Sequence, residues 1–131
     1  MSNSRRSPIT CHVLDTSIGK PADGIVVKLQ QFERAVKDGD LDAFTPIANG
    51  VTNSDGRCSD LYAPAKPDEA PPKLQAGLYK IVFHPKEYFA KTDRQCFYPW
   101  VEITFEITEP EQHYHIPLLI SPYSFTTYRG S

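Results

Sequence analysis

Six groups in this chain could act on a carbonyl: His12, His113, His115, Arg57, Arg129 and the terminal carboxylate of Ser131. An imidazole takes and gives protons near neutral pH because its ordinary pKa is about 6.5. Arginine presents a planar fork of donors that suits a carboxylate or an imide-like oxygen. Together these types could activate a water against a polarised carbonyl. His113 and His115 are separated by a single residue, so on a strand both leave the same face. A His-x-His pair also suits zinc. No third His, Cys or carboxylate follows at a known ligand spacing, however, and no metal is expected.

Each of these groups needs a local element to hold it. His12 lies inside Ile9–Leu14, a first strand ended by Asp15-Thr16-Ser17 and by the turn residues Gly19-Lys20-Pro21. Arg57 follows directly on Asn53-Ser54-Asp55-Gly56, a strong turn in which Gly56 suits a positive φ. Beyond the last histidines, the apolar run Ile116–Ile120, a Ser121-Pro122 connection and the run Tyr123–Tyr128 read as a hairpin or a bent pair of strands. Phe125 and Tyr128 come almost to the last residue. Chain ends are usually polar and frayed, so aromatic residues here predict a packed terminus.

The remaining chain supplies the scaffold. Ile25–Phe32 reads as a strand with Val27 and Leu29 on its more apolar side, and Ile47–Thr52 as a shorter one. The stretch 33–44 has no clean period and is expected to be a long exposed connection with a helical turn. Cys58–Leu61 suggests a brief strand, and 63–72, with four prolines, a surface loop. Gly77–Phe83 is the clearest strand, followed by one short helix over Pro85–Lys91 with Tyr88 and Phe89 toward the core. Trp100–Thr108 alternates, with Val101, Ile103, Phe105 and Ile107 on one face. Short strands with turn signals between them predict an all-β domain, a two-sheet antiparallel β-sandwich with one short helix. Ile116–Ile120 is apolar on both faces. Such a strand is buried twice, in the core and against another subunit, so an oligomer is expected.

Composition narrows the function classes. At 131 residues the chain suits one domain, placed at 9–131 after a disordered tail over 1–8. A net charge of −2 with scattered basic residues points to neither nucleic acid nor an anionic membrane. No apolar run approaches the ~20 residues of a membrane span, and Met1–Ser7 lacks the apolar segment of a secretory signal. Three cysteines without a Cys-x-x-Cys motif favour a reducing, intracellular setting. Twelve prolines and seven glycines among many β-formers agree with an all-β domain.

Four motifs carry a resemblance: Thr10-Cys-His-Val-Leu-Asp15 with Gly19-Lys-Pro-Ala22, Thr52-Asn-Ser-Asp-Gly-Arg57, Phe97-Tyr-Pro99 before a long strand, and His113-Tyr-His-Ile-Pro-Leu-Leu-Ile-Ser-Pro122. With the terminal Tyr128-Arg-Gly-Ser131, the chain resembles the 5-hydroxyisourate hydrolases, transthyretin-related enzymes of purine degradation, from about Ile9 to Ser131. The tetrapeptide is the specific part, since hormone-carrying transthyretins lack it and the matching histidines. The resemblance implies a transthyretin-like β-sandwich assembled as a homotetramer, a dimer of dimers with active sites where dimers meet. The implied reaction opens the 5-hydroxyisourate ring at a cyclic amide, without cofactor or metal. By motif position the catalytic residues fall on His12, Arg57 and His115, with Tyr128, Arg129, Gly130 and Ser131 binding substrate. The two catalytic histidines would hold and deprotonate the water, and which one is the base stays open.

Other residues read as support. His113 is expected to back the site rather than react, His84 to lie at the surface, and Cys11 and Cys58 to be packing thiols. The stretch between Phe32 and Val51 and the proline-rich 63–76 look longer than the family's loops. The alternative function is a transthyretin-like carrier of a small ligand without catalysis. The cytoplasm is the expected compartment, with the peroxisome as alternative.

Overall fold

Alternating apolar residues become two facing sheets in the structure, a computed structural model that describes residues 7–35, 37–62, 68 and 73–131. The loop expected over 63–72 lies outside the described residues apart from Asp68, and so does the tail expected over 1–8 apart from Ser7 and Pro8. Ser7 is buried, and its hydroxyl accepts from the Tyr62 amide at 3.1 Å, so packing begins ahead of the boundary expected at Ile9.

Nine strands and one helix form among the described residues: β1 (Ile9–Asp15), β2 (Lys20–Pro21), β3 (Val26–Glu33), β4 (Ala43–Val51), β5 (Arg57–Cys58), β6 (Gly77–His84), α1 (Lys86–Ala90), β7 (Val101–Ile107), β8 (Tyr114–Ser121) and β9 (Ser124–Thr127). One sheet has the order β2-β1-β8-β9, with β5 also paired to β1, and the other β4-β3-β6-β7. Between them Val13, Leu29, Ile81, Phe83, Leu118 and Ile120 lose all or nearly all contact with water. The all-β sandwich with a short helix is the architecture expected. One pairing adds to it: β1 and β8 run parallel, in register from Ile9↔Tyr114 to Asp15↔Ile120. Parallel neighbours need a long crossover, and here the whole second sheet supplies it.

The open connection expected over 33–44 is shorter than that. β4 begins at Ala43 and pairs Glu33↔Ala43 and Phe32↔Phe44, and the two phenylalanine rings lie 5.2 Å apart. Pro46 hides this strand from a reading of periodicity. A proline is tolerated here because β4 is an edge strand and the register slips between Leu29 and Gln30, opposite it. The final hairpin turns through Pro122 and Tyr123, since Ser121 pairs with Ser124.

Helix α1 follows Pro85 and buries Phe89. Just beyond it Arg94 reaches back to the end of β1, where Asp15 is fully buried. The guanidinium donates to Asp15 Oδ2 at 3.0 Å and the Tyr88 hydroxyl to the same oxygen at 2.9 Å. His84, expected at the surface, instead has its Nε2 buried without a hydrogen-bond partner, and burial followed by the charge of Lys28 lowers its pKa.

Candidate active site

Side chains on a strand alternate between faces, and β1 uses both. Ile9, Cys11 and Val13 point into the core and are fully buried, which sends Thr10 and His12 to the opposite face. The two neighbours of β1 then complete the set by register. β5 places Arg57 opposite His12 and Cys58 opposite Cys11. β8 places His115 opposite Thr10 and Pro117 opposite His12.

Arg57 owes its position to the turn before it. Asn53 Oδ1 accepts from the amides of Asp55 at 2.9 Å and Arg57 at 3.1 Å, and the Gly56 carbonyl accepts from the Val13 amide at 2.7 Å. Gly56 has φ +73°, and a Cβ there would stand 2.4 Å from the Val13 oxygen. Only glycine lets the turn close on β1 and set Arg57 beside His12.

The chain end is fastened differently from the expectation. Phe125 and Tyr128 are 38% and 58% exposed, so burial of aromatic rings does not hold it. Gly130 does: its amide donates to the His115 carbonyl at 2.9 Å, bridging to β8. Ser131 thereby joins Thr10, Cys11, Arg57, Ser59 and His115 around a cleft of about 100 Å³.

Within this group the Thr10 hydroxyl stands between two imidazoles, 2.9 Å from His113 Nε2 and 2.8 Å from His115 Nδ1. Thr10 is 4% exposed. His113 thus reaches the site through Thr10. His12 is held below its ordinary pKa, first by burial and then by the positive charge of Arg57; a hydrogen bond to the Asp55 backbone opposes both. It is therefore neutral at pH 7. The neighbouring Cys58 thiol together with burial pushes the Cys11 thiol well above its ordinary range, and the same contact lowers Cys58.

Not every expected residue converges. Tyr128 and Arg129 line a neighbouring cavity of about 260 Å³, together with Ile103, Phe105, Tyr114 and His115. The Arg129 guanidinium lies 4.6 Å from the Tyr114 ring centre and donates to Gln112 Oε1 at 3.0 Å. Neither Thr10 nor Ser59 stands out in the sequence alone. Each is two residues from a candidate, His12 or Arg57, and the strand period could have marked Thr10.

The fold and the cleft together define a class: a two-sheet sandwich of transthyretin type that carries histidines and an arginine on its outer strand faces. The HIUase/Transthyretin family model matches residues 9–130, and the chain belongs to that family. The 5-hydroxyisourate hydrolase of Mus musculus is 39% identical over 125 residues, 95% of this chain and 96% of the mouse protein. The structure of the Klebsiella pneumoniae 5-hydroxyisourate hydrolase superposes with a TM-score of 0.71 at 34% identity, covering 94% and 97% of the two chains. Sea bream transthyretin in complex with thyroxine superposes equally well, with a TM-score of 0.73 at 30% identity and 94% coverage of both chains. The backbone fold therefore does not separate enzyme from carrier. The residues on it must.

Proposed function

We propose that this chain is a 5-hydroxyisourate hydrolase. It opens the 5-hydroxyisourate ring by attack of water on a cyclic amide, giving 2-oxo-4-hydroxy-4-carboxy-5-ureidoimidazoline on the way from urate to allantoin. The observation that carries this is one cleft holding Arg57, His115 and Ser131, with His12 in register beside Arg57. Two imidazoles and a guanidinium make a poor lining for an apolar ligand but a suitable one for hydrolysis.

The roles follow from charge and reach. Arg57 binds the electron-rich substrate and stabilises the oxyanion that develops as water adds to the carbonyl. His12, neutral beside Arg57, and His115 hold the attacking water, and one of them takes its proton. Ser131 borders the cleft and Gly130, packed on His115, holds it there to position the substrate, with Tyr128 and Arg129 at the margin in the adjoining cavity. His113 supports His115. No cofactor enters this chemistry.

A cleft of about 100 Å³ is too small to enclose a bicyclic-sized ring, since ligand pockets run from about 300 Å³ upward. We infer a homotetramer, a dimer of dimers in which a second subunit closes each site. The exposed Trp100, Tyr123 and Tyr128 supply apolar surface for such contacts. No helix among the described residues is long and apolar enough to cross a membrane. The thiols of Cys11, Cys58 and Cys96 are unpaired, which suits a reducing compartment, and we place the enzyme in the cytoplasm.

The deciding experiment mixes freshly generated 5-hydroxyisourate with the purified protein and follows its ultraviolet absorbance. A rate far above spontaneous decay that disappears in His115→Ala, with the oligomer intact by light scattering, is expected. A rate equal to buffer would overturn the hydrolase and favour the carrier.

A further inference from the structure

Thr10 takes no part in the water attack described above, yet it is an almost fully buried polar group of the cleft. Its hydroxyl offers one hydrogen and two lone pairs, and it lies within hydrogen-bond distance of two imidazole nitrogens, His113 Nε2 at 2.9 Å and His115 Nδ1 at 2.8 Å. With a single hydrogen it can donate to only one of them. The two rings therefore cannot both present a bare nitrogen to Thr10, and the tautomer of one constrains the tautomer of the other.

Resting on the hydrolase reading above, we propose that His113, Thr10 and His115 form a proton relay in which Thr10 is the positioning residue that makes His115, rather than His12, the general base. In the resting site His115 Nδ1–H donates to Thr10 Oγ1, and the Thr10 hydroxyl donates to His113 Nε2. Water adds to the amide carbon as His115 Nε2 takes its proton. The Nδ1 proton then moves to Oγ1 while the hydroxyl proton moves to His113 Nε2, so the positive charge passes from His115 to His113. When the ring carbon–nitrogen bond breaks, the same shift runs backward and His115 Nε2 returns the proton to the leaving nitrogen. One proton enters at His115 and one leaves from it, and no other reactant is needed.

Geometry supports His115 over His12. Thr10 is almost fully buried, so its hydroxyl orientation is set by these rings and not by bulk water. The Gly130 backbone packs against the Cδ2 edge of His115, and Thr10 meets Nδ1, which fixes the plane of the ring from two sides. Arg57 stands in register with His12 and also lines the cleft with His115, so its charge opposes a second cation at both rings; what distinguishes His115 is the Thr10–His113 path that can carry a proton away. The charged and titratable groups near His115 include His113 and Tyr114 on its own strand, Cys11 and His12 on β1, Arg57 on β5, Glu106 on β7, and Tyr128, Arg129 and Ser131 at the chain end.

The test compares Thr10→Val, Thr10→Ser and His113→Gln with His115→Ala, all folded by circular dichroism. Thr10→Val keeps the shape but breaks the relay. It is expected to lower kcat at least tenfold with KM within twofold, and to move the acid limb of kcat/KM downward because the His115 cation loses its acceptor. Thr10→Ser restores both. His113→Gln can still bond to Thr10 but cannot take a proton, and it also lowers kcat and moves the limb. If Thr10→Val does not fold, His113→Gln carries the test. Wild-type kcat and pH profile in Thr10→Val or His113→Gln, with His115→Ala inactive, would overturn the relay and leave the hydrolase site standing. Full activity in His115→Ala would remove the site reading itself.

Discussion

Gly130 lies against His115 so closely that a side chain cannot be accommodated: a Cβ at position 130 would stand 2.6 Å from His115 Cδ2 and 3.2 Å from Pro117 Cγ. The chain end and the imidazole are therefore placed by one another. Gly130→Ala must push the ring or lift the tail. Small misplacements of reacting groups cost on the order of 100-fold in rate, so kcat is expected to fall about 10- to 100-fold. Because the tail is a surface segment, Tm should move by no more than a few degrees. Steady-state kinetics beside a thermal melt separates the two effects, and an unchanged kcat would show that the ring position does not matter.

Arg57 should tune His12 at a distance that NMR can read. Burial and then the Arg57 charge lower the His12 pKa from 6.5. Arg57→Gln removes the second cause and leaves the first, so the pKa should rise but stay below the ordinary value. With a depressed folded pKa, the unfolded chain binds more protons as pH falls, so the contribution of neutral His12 to stability is present above about 6.5 and is lost as pH falls through the folded pKa. In Arg57→Gln that loss is smaller. A His12 pKa identical in both proteins would contradict the assignment.

Asp15 is the main buried charge of the scaffold. Burial by itself raises its pKa, but hydrogen bonds from Ser17, Tyr88 and Arg94 outweigh burial and hold it below 3.8. Its contribution to stability is thus present above about 3.8 and is lost as pH falls through the lower folded value. Asp15→Asn leaves Arg94 without its carboxylate, with Ser17 and Thr92 as its remaining acceptors. Breaking a buried pair costs about 3–5 kcal/mol, and the lower end applies because Arg94 is 24% exposed. Urea denaturation at pH 7 should show a drop of roughly 3 kcal/mol that shrinks toward acid pH. A loss that does not vary with pH would mean that packing, not charge, is responsible.

Arg129 is expected to act on the tail more than on the chemistry. Its guanidinium is spent on the Tyr114 ring and Gln112. Arg129→Ala should raise KM a few-fold through a looser chain end while kcat stays within about twofold. A collapse of kcat comparable to that of His115→Ala would place Arg129 in the reaction.

How legible was all this beforehand? Val101–Ile107 was visible because a half-buried strand writes its period of two into the sequence, and Ile9–Asp15 and Gly77–His84 through their runs of β-forming residues between turn signals. The strand Ala43–Val51 was only half visible, because Pro46 and the register slip break that period at a sheet edge. Asp15–Arg94 was not foreseen: the partners are 79 residues apart, and nothing local links them. Among site residues, the reactive types were legible by chemistry and motif. Thr10 was not, because a threonine in a strand is ordinary until its neighbours are known.

The sequence by itself determined which residues could do chemistry, that they would lie on strands and at a glycine turn, and which family they resemble. Only the tertiary structure decided that these residues meet. Thr10 and His115 are 105 positions apart, and their contact depends on the parallel register of β1 with β8. A one-residue slip would send every side chain of β8 to the other face, exchanging His115 for buried Tyr114 or Ile116. That register is set by burying Ile116, Leu118 and Ile120 against the opposite sheet, a global energy that no local window of residues contains.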